Sequence, residues 1–106
     1  MQAKSNKVLL DINNPTFQNG WVALDKTEGR RVLDTLKKIQ QLTWDQVYKD
    51  QGLNWEKISS ITPPNGIAAV YSIRITLSSR ALAYREGSYM RFLFVSQDHE
   101  GVYGKK

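Results

Sequence analysis

From Tyr71 to Leu77 apolar and polar side chains alternate strictly: Tyr71, Ile73, Ile75 and Leu77 fall on one side, Ser72, Arg74 and Thr76 on the other. A period of two marks a strand with one face on a core and the other open to solvent or a ligand. A Leu77-Ser78-Ser79 turn then leads into a second strand, Arg80–Arg85. The tight Glu86-Gly87-Ser88 turn and a third strand, Tyr89–Ser96, follow. Phe92-Leu93-Phe94-Val95 is apolar at every position, as in a central strand covered on both faces. Such a hairpin-linked run cannot bury its own apolar side. The residues ahead of it must supply the covering layer.

They read as helices. Lys7–Ile12 suits a short strand. Asn14-Pro15 then places an N-cap before a proline at the first helical position, and Phe17, Trp21 and Leu24 recur on one helical face. Gly20 weakens that helix. Asp25 and Glu28 stand in capping-box spacing ahead of a second helix from about Lys26, whose stripe is Val32, Leu33, Leu36, Ile39 and Leu42. Lys26, Arg30, Arg31, Lys37 and Lys38 lie off that stripe, as a solvated basic face or an attractor for a polyanion. Thr43 and Gln46 repeat the spacing before a short helix, Trp44–Gln51, with Gly52 to end it. Thr62-Pro63-Pro64-Asn65-Gly66 must be turn or loop. The expected architecture is α+β, in the order β-α-α-(α)-β-β-β. An N-terminal helical hairpin packs on a largely antiparallel sheet, in one domain over residues 1–106.

Fifteen Lys and Arg against ten Asp and Glu give a net charge of +5, which suits an anionic partner such as nucleic acid or an acidic protein. With no cysteine, disulfides and thiolate–zinc sites are excluded. No apolar run approaches the roughly 18 residues of a membrane span, and the N-terminus does not read as a signal peptide, so the expected compartment is the cytoplasm, with no membrane partner. Asp98, His99 and Glu100 are adjacent and have no spaced fourth partner, so neither a metal nor another cofactor is expected.

The run YSIRITLSSRALAY, then a hairpin, then FLFVSQDHEGVY, resembles the RelE/ParE superfamily of toxins, and the segment beginning NPTFQNGWVAL looks like that family's amphipathic start. The resemblance implies the toxin of a type II toxin–antitoxin system, neutralised by a cognate antitoxin protein through which oligomerisation mainly occurs. In the RelE, HigB and YoeB branches it implies a metal-independent, ribosome-dependent endoribonuclease that cleaves mRNA. The ParE branch instead implies a DNA gyrase inhibitor. A third reading is a non-catalytic basic domain that binds RNA or protein. Arg74 falls where RelE has a basic residue on its strand, Arg80 on the arginine opening the next, and Tyr103 on a terminal Val-Tyr pair. His99 is closer to HigB and YoeB. Ser72 and Gln97 stand where, or near where, RelE has cations.

The chemistry of these residue types agrees. Cleavage without metal needs a proton removed from the 2′-hydroxyl, cations around the crowded phosphorane and a proton for the departing 5′-oxygen. His99 is the candidate acid or base, since histidine titrates nearest neutral pH. Arg80 is the first phosphate clamp and Arg74 the second. Tyr103 is the orienting or proton-handling group. Lys57 and Arg85 are candidates for outer contacts to the RNA backbone.

Overall fold

Three helix starts are fixed by side chains within three residues of them. Asn14 Oδ1 accepts from the Thr16 and Phe17 N–H groups at 2.8 and 3.3 Å. Asp25 Oδ1 accepts from the Glu28 N–H at 2.8 Å. Thr43 and Gln46 form a reciprocal capping box, at 2.9 and 3.2 Å. These caps open α1 (Pro15–Ala23), α2 (Lys26–Gln40) and α3 (Trp44–Lys49) in the computed structural model, which describes residues 7–96. α3 stops two residues before the expected end, because the Asp50 side chain turns the chain there, accepting from the Leu53 N–H at 2.9 Å.

The strands are β1 (Leu9–Asp11), β2 (Glu56–Lys57), β3 (Tyr71–Arg74), β4 (Arg80–Glu86) and β5 (Tyr89–Ser96), in the spatial order β1-β5-β4-β3-β2. β1 joins β5 in parallel and every other pair is antiparallel. The two-residue β2 is an addition to the order read from the sequence, and β3 is three residues shorter than its alternating pattern. Gly87 has φ +62° at the first of two hairpin residues, the backbone that a II′-type turn requires.

The helices cover one sheet face. Phe17, Val32, Leu36, Ile39, Trp44 and Val47 meet Ile73, Ala81, Ala83, Met90, Phe92 and Val95 in the main core. α1 crosses β5 so closely that a Cβ on Gly20 would lie 2.5 Å from the Val95 carbonyl oxygen. The glycine that weakens the helix in isolation is what lets it dock. Trp21 donates its indole N–H to the Gly29 carbonyl at 3.0 Å, closing the helical hairpin.

The opposite sheet face is not open along its length. Ile58 and Val70 bury against Leu82, with Ile61, Ile67, Leu93 and Phe94 around them. The segment between β2 and β3 is therefore a second cover. β5 serves both cores because its register with β4 shifts at Leu82/Ala83, leaving Leu93 as an extra residue: Phe92 and Val95 face the helices, Leu93 and Phe94 the second cover. The uninterrupted apolar run in the sequence is this two-sided burial.

At the other edge, Arg91 bridges Asp11 of β1 and Glu86 of β4, fastening the parallel strand. The Asn13 N–H and the Arg91 guanidinium hold the Asp11 carboxyl below its usual range. A depressed carboxylate stabilises the fold above its unfolded pKa and loses that contribution as pH falls through the folded value.

Two outcomes are expected. Gly20→Ala lowers stability by about 1–3 kcal/mol through overpacking, whereas Gly29→Ala, whose Cβ would meet only the Trp21 ring at 3.7 Å, raises it by about 0.5–1 kcal/mol; urea titrations separate them. In the same assay, wild type loses stability progressively below about pH 4, and Asp11→Asn removes part of that acid dependence.

Candidate nucleic-acid interface

β3 ends at Arg74 because the next residues fold back on themselves. The Ile75 and Thr76 N–H groups both donate to the Ser79 carbonyl, at 3.0 and 3.2 Å, and the Thr76 and Ser79 hydroxyls lie 2.8 Å apart. Glu28, at the start of α2, accepts from both hydroxyls at 3.1 and 2.8 Å. The Glu28 side chain thus leaves the cap to which its spacing assigned it and clasps the β3–β4 turn instead. Ser79 is fully buried at this junction.

The clasp fixes a short register in which Arg74 stands directly opposite Arg80, and Arg80 opposite Ser96. Residues opposite one another share a face, so the two guanidinium groups leave β3 and β4 on the same side. Side by side, the two make this edge of the sheet positive. Next to them, Thr27, Glu28 and Arg31 of α2 face Arg74, Thr76 and Ser78 across a cavity of about 490 Å³. Arg31 and Arg74 line this cavity together, and Leu77 forms its rim at 91% exposure. Arg74 makes no ion pair among the described residues.

The structure distributes the expected residues as follows. Arg74 and Arg80 come together. His99 and Tyr103 lie outside the described residues, as do Gln97 and Asp98. Lys57 sits opposite Tyr71 in the register, one strand position out of phase with Arg74, and so leaves the helix-covered face. Arg85 likewise belongs to that face and to the far end of β4, its guanidinium 4.5 Å over the Trp44 ring. Ser72 is not on an open face as its alternation implied: it is fully buried beneath the second cover, and its hydroxyl has no hydrogen-bond partner among the described residues. A lysine there would meet apolar side chains rather than a phosphate.

Glu28 and Arg31 escaped the sequence reading as site residues. Glu28 looked like half of a capping box and Arg31 like one member of a solvated basic face. Only the acidic residue's capping spacing hinted at a fixed carboxylate, and it pointed to the wrong partner.

No family model matches the chain, and no curated protein sequence shows significant similarity to it. Among solved structures the fold is similar to the archaeal RelE–RelB complex from Pyrococcus horikoshii OT3, with a TM-score of 0.59 and 14% identity, covering 85% of this chain and 93% of that one. The α+β architecture implied by the resemblance is therefore present, and the chain has the RelE-like fold.

Removing the clasp tests its part in the site. Glu28→Ala leaves the buried Ser79 hydroxyl without its acceptor and lowers stability by about 1–3 kcal/mol. Glu28→Gln retains a carbonyl oxygen and loses less, as urea titration of both variants will register.

Proposed function

We propose that this chain is the toxin of a type II toxin–antitoxin pair and a metal-independent endoribonuclease that cuts mRNA on the translating ribosome. The observation that carries the reading is the cross-strand placement of Arg74 beside Arg80, next to a cavity that Arg31 also lines. The RelE-like fold supports it. Two arginines leave one face of the sheet side by side, and their charge counts most as the phosphorane gains negative charge. Arg31 adds a third cation from a helix.

His99 supplies or removes the proton in this reading, and Tyr103 orients the reacting groups or stacks on a base. The cognate antitoxin neutralises the toxin by occupying the helical hairpin and the basic face. No described helix is long and apolar enough to cross a membrane, and the proposed compartment is the cytoplasm, where the ribosome is found.

Brief induction in a bacterial host, followed by mapping of RNA 5′ ends, tests the proposal. Wild type is expected to arrest growth and to produce new ends within translated frames. Arg74→Ala and Arg80→Ala each lower cleavage by about 100- to 1,000-fold, and His99→Ala by about 100- to 10,000-fold, with unchanged circular dichroism. Intact transcripts together with cleaved gyrase–DNA complexes would instead assign the chain to gyrase inhibition.

A further inference from the structure

A second cleft lies at the opposite end of the sheet. β3 pairs with β4 only as far as Tyr71 opposite Ala83, while β4 continues to Glu86. Residues 66–69 peel away from that line, and the gap they leave has a volume of about 380 Å³. Its wall is Gly66, at φ +84°, with Ala68 and Ala69; Ile67, which packs against the second core, and Glu86 also line it.

Three tyrosines and one arginine project into this space. Arg85 donates from Nε to the Gly87 carbonyl at 2.7 Å and from Nη1 to the Tyr48 hydroxyl at 2.6 Å, with its plane over Trp44. Those bonds use two of its five N–H groups. The remaining three belong to an exposed guanidinium that has no carboxylate partner among the described residues. The neighbouring Glu86 is already bound by Arg91 at 2.7 Å. Tyr71 is backed by Trp55, parallel to within 9° at a centroid distance of 4.6 Å, so its ring cannot swing away. Tyr84 lines the cleft from the other side of β4.

A held guanidinium beside rigid phenol rings and a wall of small residues suits a ligand that is flat at one end and anionic at the other. The geometry points to a nucleotide-binding subsite: Arg85 takes a phosphate, and a base lies against Tyr71 or Tyr84. Little ordering remains to be done on the protein side, which favours binding. Tyr84 lies four residues along β4 from Arg80, roughly 13 Å at strand rise. The subsite therefore holds RNA at a distance from the Arg74–Arg80 pair. It rests on the proposal that RNA is the substrate. An extended peptide added to the unpaired Tyr84–Glu86 edge fits less well, because it would abut Tyr71 after three residues.

The test uses the full chain with a short single-stranded 2′-O-methyl RNA, which lacks the attacking hydroxyl and stays intact. Adenosine monophosphate and inorganic phosphate serve as separate probes. The RNA and the nucleotide are expected to move the backbone amide resonances of Ala68, Ala69 and Arg85. Arg85→Gln weakens RNA binding by about tenfold, as does Ala68→Phe, which fills the cleft from an exposed position without touching the core. Arg74→Ala leaves the nucleotide shifts in the cleft intact. The subsite is overturned if the nucleotide leaves those amides unmoved, or if inorganic phosphate binds as tightly as the nucleotide. A wild type that binds nucleotide here yet leaves transcripts whole would refute the nuclease and keep the subsite. Cleavage with no response in the cleft would do the reverse.

Discussion

Burial of β4 and β5 on both faces is the constraint from which the other features follow. Ala81, Ala83, Phe92 and Val95 go to the helices, and Leu82, Leu93 and Phe94 to the second cover. A one-residue slip of β3 against β4 would send each of its side chains to the opposite face. Ile73 would leave the main core, and Arg74 would enter it. Apolar packing on two sides therefore fixes the position of the Arg74–Arg80 pair.

The turn after β3 carries that order to the site edge. Glu28 joins α2 to Thr76 and Ser79 across 48 and 51 residues of chain. It brings the start of a helix beside the end of a strand, and Arg31 comes with it, one turn further on. The same carboxylate lines the cavity with Arg31 and Arg74 and pairs with neither in a described ion pair. Its hydroxyl partners occupy it, and Arg74 makes no ion pair among the described residues.

The basic residues are thus sorted into two places. Arg74 and Arg80 stand at one end of the sheet, while Lys57 and Arg85 belong to the helix-covered face. The alternation from Tyr71 to Leu77 reads Ser72 as open beside Arg74, because polar alternation ordinarily marks a solvent face. Ser72 shows where that rule fails: residues 58–70 fold over the sheet, and the serine is buried with no partner for its hydroxyl among the described residues. Arg85 was recognised as a cation, but its ring contacts with Trp44 and Tyr48 lie 41 and 37 positions away, and nothing in the local spacing announces them.

What the sequence settled by itself was local. Asn14, Asp25 and Thr43 cap helices through bonds two or three residues long. Gly87 permits its hairpin through its own backbone angle, and the apolar run in β5 announces two-sided burial by composition alone. The tertiary structure decided whatever depends on the path of a loop or on a meeting of distant segments. It placed the second cover over Ser72, the Glu28 clasp and the cleft beside Arg85, and it made Gly20 a contact point with Val95 rather than a weakness in α1. Caps and turns are written in neighbouring residues because their hydrogen bonds close within one turn of chain. The cover, the clasp and the cleft come from packing between segments dozens of residues apart, where many side-chain patterns are compatible with the same spacing and only the folded chain selects one.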